Sequence, residues 1–263
     1  MPNKISRAAL LVPLLLLSLN ALVVVGIASS QDAPSAHWTY EGEEGPGFWD
    51  ELAPDYALCG TGRAQSPIDI TGEQEVNLAD LTLNYQPSAL NIFNNGHTIQ
   101  VNYDQGSTLV YNENEYQLVQ FHFHHPSEHT INGEAFDMEL HLVHRDANGA
   151  LAVVGVMLRE GEVENPAYAP IFGHLPSEAG EPEATDIRVS AGDLLPESRL
   201  YYTYTGSLTT PPCTQGVRWL VLETPAEVSA QQLEAFASIF ELNARPVQPL
   251  NVRDLLYDGS AGE

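Results

Sequence analysis

The stretch Gln120–His144 reads QFHFHHPSEHTINGEAFDMELHLVH and predicts both a local fold and a chemistry. It holds six of the nine histidines, and His122 and His124 are two positions apart. Because side chains alternate between the faces of a strand, these two imidazoles project from one face. Asn132-Gly133 is a strong hairpin signal, so the chain can return antiparallel and bring His141 beside the pair. Three converging imidazoles predict a transition-metal site, and tetrahedral Zn²⁺ with one open position is the leading candidate.

Strand alternation also predicts the groups that support these imidazoles. One face of a strand over 116–125 carries the two histidines with Tyr116, Leu118 and Gln120, and the other carries Gln117, Val119, Phe121 and Phe123. Gln120 lies two positions before His122, and Glu139 lies two positions before His141. A ligating imidazole normally donates its second N–H to such an acceptor, which orients the ring. The alternative interpretation is a polar sheet face with scattered histidines.

The rest of the chain favours a β-dominated α+β fold with one domain over residues 31–263. Short strands separated by polar turns are predicted over residues 81–85, 97–103, 107–111, 137–144, 150–159, 200–206 and 216–224. The clearest helix is predicted over Ser229–Asn243, where Ser229 and Gln232 form a capping box. Residues 31–60 are predicted to be an irregular arm that Trp38, Tyr40 and Trp49 attach to the domain.

The N-terminus is typical of an exported protein. Lys4 and Arg7 precede an apolar run over residues 8–27, and small residues follow at 28–30, so residues 1–30 are predicted to be a secretory signal peptide. An uncleaved membrane anchor is the alternative, because the apolar run is long. Two cysteines in an exported chain, Cys59 and Cys213, indicate one disulfide, with two buried thiols as the alternative. We expect a periplasmic or secreted protein without stable membrane association after cleavage.

The charge balance excludes whole classes of partner. The formal net charge is −25, and Lys4 is the only lysine in the chain. Such a surface repels nucleic acid and anionic membranes. Because salt screens this self-repulsion, we hypothesise that the protein tolerates or prefers elevated salt.

Several motifs taken together resemble a known family. They are CGTGRAQSPIDI, NNGH, QFHFH, SEHT, ELHLVH, GSLTTPPC and NARPVQPL. The chain resembles the α-class carbonic anhydrases from about Trp38 to Leu255, and its paired cysteines are similar to those of the bacterial, exported members. The resemblance implies a large, twisted, mostly antiparallel sheet with short surface helices, a Zn²⁺ cofactor, and reversible hydration of carbon dioxide to bicarbonate and a proton. It also makes a homodimer an open option.

The resemblance implies roles for individual residues. His122, His124 and His141 correspond to the zinc ligands, and Thr209 corresponds to the residue that accepts a hydrogen bond from zinc-bound hydroxide. Glu128 corresponds to the carboxylate that accepts the Thr209 proton. A hydroxyl whose proton is committed in this way can only accept from the nucleophile.

Further matches concern the support, the substrate and the released proton. Asn243 matches the position whose backbone carbonyl orients His124, and His97 matches the proton shuttle. The expected substrate pocket consists of Val143, Val153, Leu208, Thr210 and Trp219. The expected proton path consists of Tyr40, Asn95 and Gln100. Strict alternation would place His97 and Gln100 on opposite faces, so their strand must begin irregularly if both line one cavity.

Two other functions fit parts of this pattern. The first is a binding or matrix protein that reuses the fold without catalysis, although members of that kind lack one or more of the zinc ligands. The second is a zinc hydrolase of esters, because zinc hydroxide attacks other carbonyl groups.

Overall fold

Antiparallel pairing of strands close in sequence builds most of the structure. The computed structural model describes residue 1 and residues 36–259, so the predicted signal peptide lies outside the residues described apart from Met1. The strands are β1 Asp69–Ile70, β2 Gln74–Val76, β3 Thr82–Asn84, β4 Ser88–Asn94, β5 Ile99–Asn102, β6 Thr108–Tyr111, β7 Asn114–His124, β8 Thr130–Ile131, β9 Glu134–Ala135, β10 Met138–Arg145, β11 Leu151–Gly161, β12 Glu183–Val189, β13 Tyr201–Ser207, β14 Gln215–Leu222, β15 Ala226–Ser229 and β16 Leu256–Asp258. The α-helices are α1 Trp49–Leu52, α2 Leu58–Thr61, α3 Ala169–Phe172 and α4 Ala230–Ala237. Short 3-10 helices span Gly42–Glu44, Pro54–Tyr56 and Ala191–Leu194.

Thirteen of these strands form one large mixed sheet. Its main order is β12-β4-β5-β7-β10-β11-β14-β13-β16-β2, with β3, β6 and β15 paired alongside this path. The β11–β14, β11–β15 and β16–β2 pairs are parallel, and the other pairs of this sheet are antiparallel. Strands β1, β8 and β9 form a small second sheet. The prediction of a β-dominated fold around a mostly antiparallel sheet is therefore confirmed.

The predicted strands match observed ones with small shifts at their ends, but two longer strands were missed. Strand β4 alternates between buried and half-buried residues, yet its sequence SALNIFN is interrupted by polar residues. Strand β12 contains charged residues and pairs only with β4 at the sheet edge. Both strands are stabilised by pairing with their neighbours more than by local strand propensity, so neither shows a strong strand pattern in its sequence.

A β-bulge corrects the predicted faces of β7. Val143 pairs with Gln120 and His144 pairs with Leu118, so Val119 is an extra residue opposite β10. Beyond the bulge the alternation reverses, and Leu118 is fully buried in the same core as Phe121. The prediction that Tyr116 and Leu118 share the histidine face was therefore wrong, as was the placing of Gln117 and Val119 on the core face. From Gln120 to His124 the alternation is regular.

The helix α4 is shorter than predicted. Ser229 caps it through the expected capping box with Gln232, but the helix ends at Ala237 rather than near Asn243. The following residues leave the helix, and Asn243 reaches the end of β7, where its N–H donates to the carbonyl of the next residue, His125, at 3.0 Å. Tertiary contact with β7 therefore ends the helix before its apolar pattern ends.

The two faces of the sheet bury different cores. Leu140, Leu142 and Val154 lie in the larger core, whereas Val153 and Trp219 lie in a smaller core on the opposite face. A third cluster unites Trp38, Trp49 and Tyr56 with the Cys59–Cys213 disulfide, which confirms the predicted pairing. Residues 42–61 form short helices here, so this part of the predicted arm is ordered rather than irregular. Among residues 36–259, no helix is long and apolar enough to cross a membrane.

Candidate metal centre

Three histidines from two neighbouring strands converge on one point. His122 and His124 project from the same face of β7, and His141 on β10 pairs directly with His122. One ring nitrogen from each lies within 4.8 Å of the others. His124 and His141 are buried, and His122 is half-buried and lines a cleft. Regular alternation on β7 and the β7–β10 register together produce this cluster.

Each of these rings has its second nitrogen bound to an acceptor. The Nδ1 of His122 donates to Gln120 Oε1 at 2.8 Å, and the Nδ1 of His124 donates to the Asn243 carbonyl at 2.7 Å. His141 is turned the other way, since its Nε2 donates to Glu139 Oε1 at 2.8 Å. These bonds determine the tautomers, so the Nε2 atoms of His122 and His124 and the Nδ1 atom of His141 carry lone pairs.

The free nitrogens fit a zinc ion. The Nε2 of His124 is buried and has no hydrogen-bond partner among the described residues. Burial lowers the pKa of His124 to about 4 and also lowers the pKa values of His122 and His141. The three rings are therefore neutral near pH 7, which is the form that binds metal. Three imidazoles with one open position match the ligand set of catalytic zinc.

Glu139 supports this cluster with both carboxylate oxygens. One oxygen accepts the backbone N–H groups of Glu128 and His129 at 2.9 and 2.8 Å. The other accepts ring N–H groups from His129 and His141, both at 2.8 Å. Burial by itself raises the pKa of Glu139, but the two histidines and their hydrogen bonds outweigh burial and hold it well below its usual range. Glu139 is therefore ionised when it orients His141.

His129 is a support that the sequence did not reveal as part of the site. It is fully buried, and its Nε2 lies 2.6 Å from the Tyr204 hydroxyl. His129, Glu139 and His141 also form a group whose atoms are close enough to hold a metal. Both ring nitrogens of His129 are already engaged in hydrogen bonds, so this group is a hydrogen-bonded support rather than a second open site. No local pattern marks His129, because Tyr204 is distant in sequence.

Glu128 lies next to the free nitrogens of His124 and His141, and Thr209 lies beside Glu128. Glu128 Oε2 is 3.4 Å from His124 Nε2, and Glu128 Oε1 accepts the Arg245 backbone N–H at 2.9 Å. Burial raises the pKa of Glu128 to about 7, while His141, the Arg245 N–H and a hydrogen bond with the Thr209 side chain lower it. Thr209 is buried in the loop between β13 and β14. The structure thus brings together two residues 81 positions apart in the chain.

An apolar wall lies beside His141. The Trp219 ring centroid is 4.8 Å from that of His141. Val153 on β11 and Trp219 on β14 are buried in one cluster, against which Val143 and Leu208 pack. The structure therefore unites four of the five predicted pocket residues in one cluster, and the fifth, Thr210, lines the adjoining cleft.

His97 lines two clefts, an inner one that reaches the histidine cluster and an outer one. The inner cleft has a volume of about 130 Å³ and is lined by Trp38, Tyr40, Asn95, His97, Thr98, Gln100, Gln120, His122, His124 and Thr210. The outer cleft, of about 240 Å³, shares Trp38, Tyr40 and His97 with the inner one and adds His37 and Glu41. His97 precedes β5, which begins at Ile99, so this strand starts irregularly and both His97 and Gln100 face the inner cleft.

The His97 ring stacks on Trp38, with centroids 3.7 Å apart. Burial, and then His37, lower the pKa of His97 below its ordinary value, so the ring is neutral near pH 7. The Asn243 side chain supports this region as well, because its amide donates to the His97 and Phe123 carbonyls at 3.1 and 3.0 Å. The role of the Asn243 side chain therefore adds to the expected role of its backbone carbonyl.

These features define a β-sheet protein with a candidate three-imidazole metal centre beside an apolar wall. A family model for eukaryotic-type carbonic anhydrases matches residues 44–258. The chain is 47% identical over 233 residues to a carbonic anhydrase of Nostoc sp., covering 86% of this chain and 88% of that protein. It is 42% identical over 238 residues to a carbonic anhydrase of Pectobacterium atrosepticum, covering 90% and 97%.

The solved structures agree with the sequence comparisons. The α-carbonic anhydrase of Thermovibrio ammonificans, in complex with the inhibitor sulfanilamide, superimposes with a TM-score of 0.82 at 44% identity, covering 84% of this chain and 99% of that one. The chain therefore belongs to the eukaryotic-type, or α-class, carbonic anhydrase family and is an enzyme of that class. Enzymes of this family hydrate carbon dioxide and depend on zinc.

Proposed function

We propose that this chain hydrates carbon dioxide reversibly to bicarbonate and a proton with zinc held by His122, His124 and His141. The observation that carries the proposal is the group of three imidazoles, each with one nitrogen facing the others and the second nitrogen bound to an acceptor. A bound zinc ion would supply a Lewis acid that lowers the pKa of water, for which carbonic anhydrase is itself the standard example.

Glu128 and Thr209 orient the nucleophile in this proposal. In it, the Thr209 hydroxyl donates to the Glu128 carboxylate, which would leave only lone pairs on the Thr209 oxygen for other contacts. The Thr209 side chain lies beside Glu128 and lowers its pKa, which supports this assignment. An O–H group in the cavity can therefore only donate to Thr209, and the lone pairs of its own oxygen turn towards the substrate. The two residues act by orientation and form no covalent bond.

The apolar wall suits an uncharged substrate. Carbon dioxide carries no net charge and few hydrogen-bonding demands, so Val143, Val153, Leu208 and Trp219 can hold it by packing alone. Bicarbonate is charged and gains nothing from this wall, which favours its release. Thr210 lies at the polar side of the pocket, in the inner cleft.

The proton leaves through His97 in this proposal. Tyr40, Asn95 and Gln100 line the inner cleft between the histidine cluster and His97. His97 also lines the outer cleft, so its ring can take a proton on one side and release it on the other. Its lowered pKa keeps the accepting nitrogen free at neutral pH.

We further propose that the enzyme works outside the cytoplasm, in the periplasm or the medium, after removal of residues 1–30. The Cys59–Cys213 disulfide supports this, because such bonds persist in oxidising compartments. The acidic surface supports a protein that binds neither nucleic acid nor anionic membranes.

Zinc content and stopped-flow hydration of carbon dioxide, measured on the same protein, test this function. We expect His141→Ala to lose bound zinc and hydration activity. His125→Ala is the matched control, since His125 follows β7 and its ring bonds only to the Glu241 carbonyl among the described residues. An unchanged hydration rate in His141→Ala, or an equal loss in both variants, would contradict the zinc mechanism. Tight zinc binding without hydration would favour the binding-protein alternative.

A further inference from the structure

Two consecutive residues, Gln65 and Ser66, form hydrogen bonds with both ends of the loop that carries Thr209. At the start of the loop, the Ser66 N–H donates to Ser207 Oγ at 2.9 Å, and the Ser207 N–H donates back to Ser66 Oγ at 3.1 Å. At its far end, the Gln65 side-chain amide donates to the Cys213 carbonyl at 3.0 Å. Gln65 and Ser66 are both buried, so these bonds are shielded from water and their loss is costly.

Arg245 connects Gln65 and Ser66 to Glu128 through hydrogen bonds. Its guanidinium donates to Gln65 Oε1 at 2.9 Å and to the Ser66 and Cys59 carbonyls, both at 2.8 Å. The backbone N–H of the same residue donates to Glu128 Oε1 at 2.9 Å. The Gln65 amide therefore accepts from the residue that holds Glu128 and donates to the loop that holds Thr209.

The side chains of Gln65 and Ser66 pack tightly against neighbouring backbone. A Cβ atom at Gly62 would lie 2.4 Å from Gln65 Nε2, and a Cβ atom at Gly206 would lie 2.0 Å from Ser66 Oγ. Glycine at these positions lets the neighbouring backbone approach the two polar side chains closely. The amide of Gln65 is thus held in one orientation by packing as well as by hydrogen bonds.

We propose that Gln65 is a positioning residue that sets Thr209 against Glu128. The proposal rests on the proposed function of these two residues as the pair that orients the nucleophile. A Gln65 side chain spans the gap between Arg245 and Cys213 with one acceptor and one donor. Without this span the Cys59–Cys213 disulfide still ties the end of the loop, but the Cys213 carbonyl loses its buried donor and Thr209 loses its fixed distance to Glu128.

Two substitutions at Gln65 separate positioning from simple stability. Gln65→Glu keeps an acceptor for Arg245 but has no donor for the Cys213 carbonyl, whereas Gln65→Met removes both bonds at similar volume. We expect kcat/KM for hydration to fall roughly tenfold in both variants, because small misplacements of a catalytic group reduce rates strongly. We expect Gln65→Glu to unfold at a higher urea concentration than Gln65→Met, and both to retain bound zinc.

Hydrogen exchange measured by mass spectrometry gives a readout independent of activity. In both Gln65 variants we expect faster exchange in a peptide covering residues 207–214, with β10 unchanged. Tyr201→Phe is the control, because it removes a comparable bond from a buried ring to the Ala79 carbonyl, outside this network. This control should lower stability without a local change in loop exchange or a tenfold loss of activity.

The outcomes distinguish this inference from the function on which it rests. A wild-type kcat/KM in both Gln65 variants would overturn the positioning role of Gln65. The same conclusion would follow if the loss of activity tracked the loss of unfolding stability across Gln65→Glu, Gln65→Met and Tyr201→Phe. If the wild-type protein showed no hydration at all, the proposed function would fail. Loop exchange would then decide whether Gln65 holds the loop, and unchanged exchange over 207–214 would overturn that too.

Discussion

At the scale of single residues, the carboxylate of Glu139 organises the base of the candidate metal centre. It accepts two backbone N–H groups, from Glu128 and His129, and two ring N–H groups, from His129 and His141. All four donors are buried with it, so the charge of Glu139 is stabilised by hydrogen bonds instead of by water. One carboxylate thus orients His141 and also fixes the backbone next to Glu128.

Replacing Glu139 by glutamine tests this arrangement. An amide offers one oxygen acceptor and places an NH₂ group against N–H donors, so at least one contact becomes repulsive. We expect the affinity for zinc to fall about 10- to 100-fold, as for other partners of metal-binding histidines. Competition with a chromophoric chelator measures this affinity directly. Glu134→Gln, on the exposed strand β9, is the matched control and should leave it unchanged.

The second residue-scale prediction concerns His97. His97→Ala should lower turnover in weak buffer on the order of 10²-fold, because an internal proton acceptor is lost. Added imidazole should restore the rate, and buffer should have little effect on the wild type. His174→Ala serves as the control, since His174 is an exposed loop residue. Full activity of His97→Ala at every buffer concentration would rule out the shuttle role.

His144 links stability to pH. It is fully buried, and burial lowers its pKa from 6.5 to about 4 despite hydrogen bonds to the Ala152 and Leu142 carbonyls. Between pH 4 and pH 6.5, His144 is protonated in the unfolded chain but neutral in the folded chain. The contribution of His144 is therefore complete above pH 6.5 and is lost as the pH falls towards 4. The loss is on the order of 3 kcal/mol.

Urea unfolding of His144→Gln at several pH values tests this link. Glutamine retains an acceptor for the Tyr85 hydroxyl, which lies 2.8 Å from His144 Nε2, but it does not titrate. We expect the variant to lose less unfolding free energy than the wild type between pH 6.5 and pH 4. Identical slopes for the two proteins would show that His144 does not carry the effect.

At the scale of secondary-structure elements, the candidate metal centre depends on two strands whose other faces are anchored in the large core. Phe121 and Phe123 alternate with the ligands on β7, and Leu140 and Leu142 flank His141 on β10. The bulge at Val119 lies before Gln120, so it redirects the start of β7 without disturbing the ligand pair. Burial of the apolar face thus gives the ligand face its rigidity.

The α4 cap offers an element-scale prediction. The Ser229 hydroxyl accepts the Gln232 N–H, and Gln232 Oε1 accepts the Ser229 N–H and also the N–H of Asn165. Ser229→Ala should lower the free energy of unfolding by about 1 kcal/mol, with activity unchanged. Ser238→Ala at the other end of the helix is the control, because the exposed Ser238 side chain caps no N–H group. Equal effects of the two substitutions in urea unfolding would contradict a specific cap.

At the scale of the whole molecule, the net charge of −25 opposes the compact state. Salt screens the repulsion between exposed acids. We expect Tm to rise by at least about 3 °C between low and molar NaCl, which corresponds to about 1 kcal/mol for a chain of this size. Calorimetry at neutral pH measures this shift. A Tm that stays flat or falls would remove support for the salt hypothesis.

A triple variant gives this experiment its control. Glu178, Glu181 and Glu183 are exposed and line one surface cleft, where like charges are close together. Replacing all three by glutamine should raise Tm at low salt and reduce the further gain from NaCl. An unchanged salt response in this variant would show that the effect does not come from repulsion between these acids.

The β7–β10 region was predictable because its information is local. Alternation over 120–124, the Asn132-Gly133 turn and the residues two positions before His122 and His141 all lie within one short stretch. The turn is observed with both residues at positive φ, but it joins β8 to β9 of the small second sheet, within the longer connection between β7 and β10. The bulge at Val119 was not predictable in the same way, because it depends on neighbouring strands, including the Tyr103 N–H that donates to the Val119 carbonyl.

The sequence by itself therefore determined the fold class, the three histidines, two of their hydrogen-bond partners and the pairing of two cysteines. Only the tertiary structure decided which faces Tyr116 and Leu118 occupy, where α4 ends, and that His129 hydrogen-bonds to Glu139 and Arg245 to Glu128. The physical reason is the distance along the sequence over which each kind of interaction acts. Alternation and turn propensity act over a few residues, whereas a buried hydrogen bond such as that between Gln65 and Cys213 forms only after the sheet has brought distant segments together.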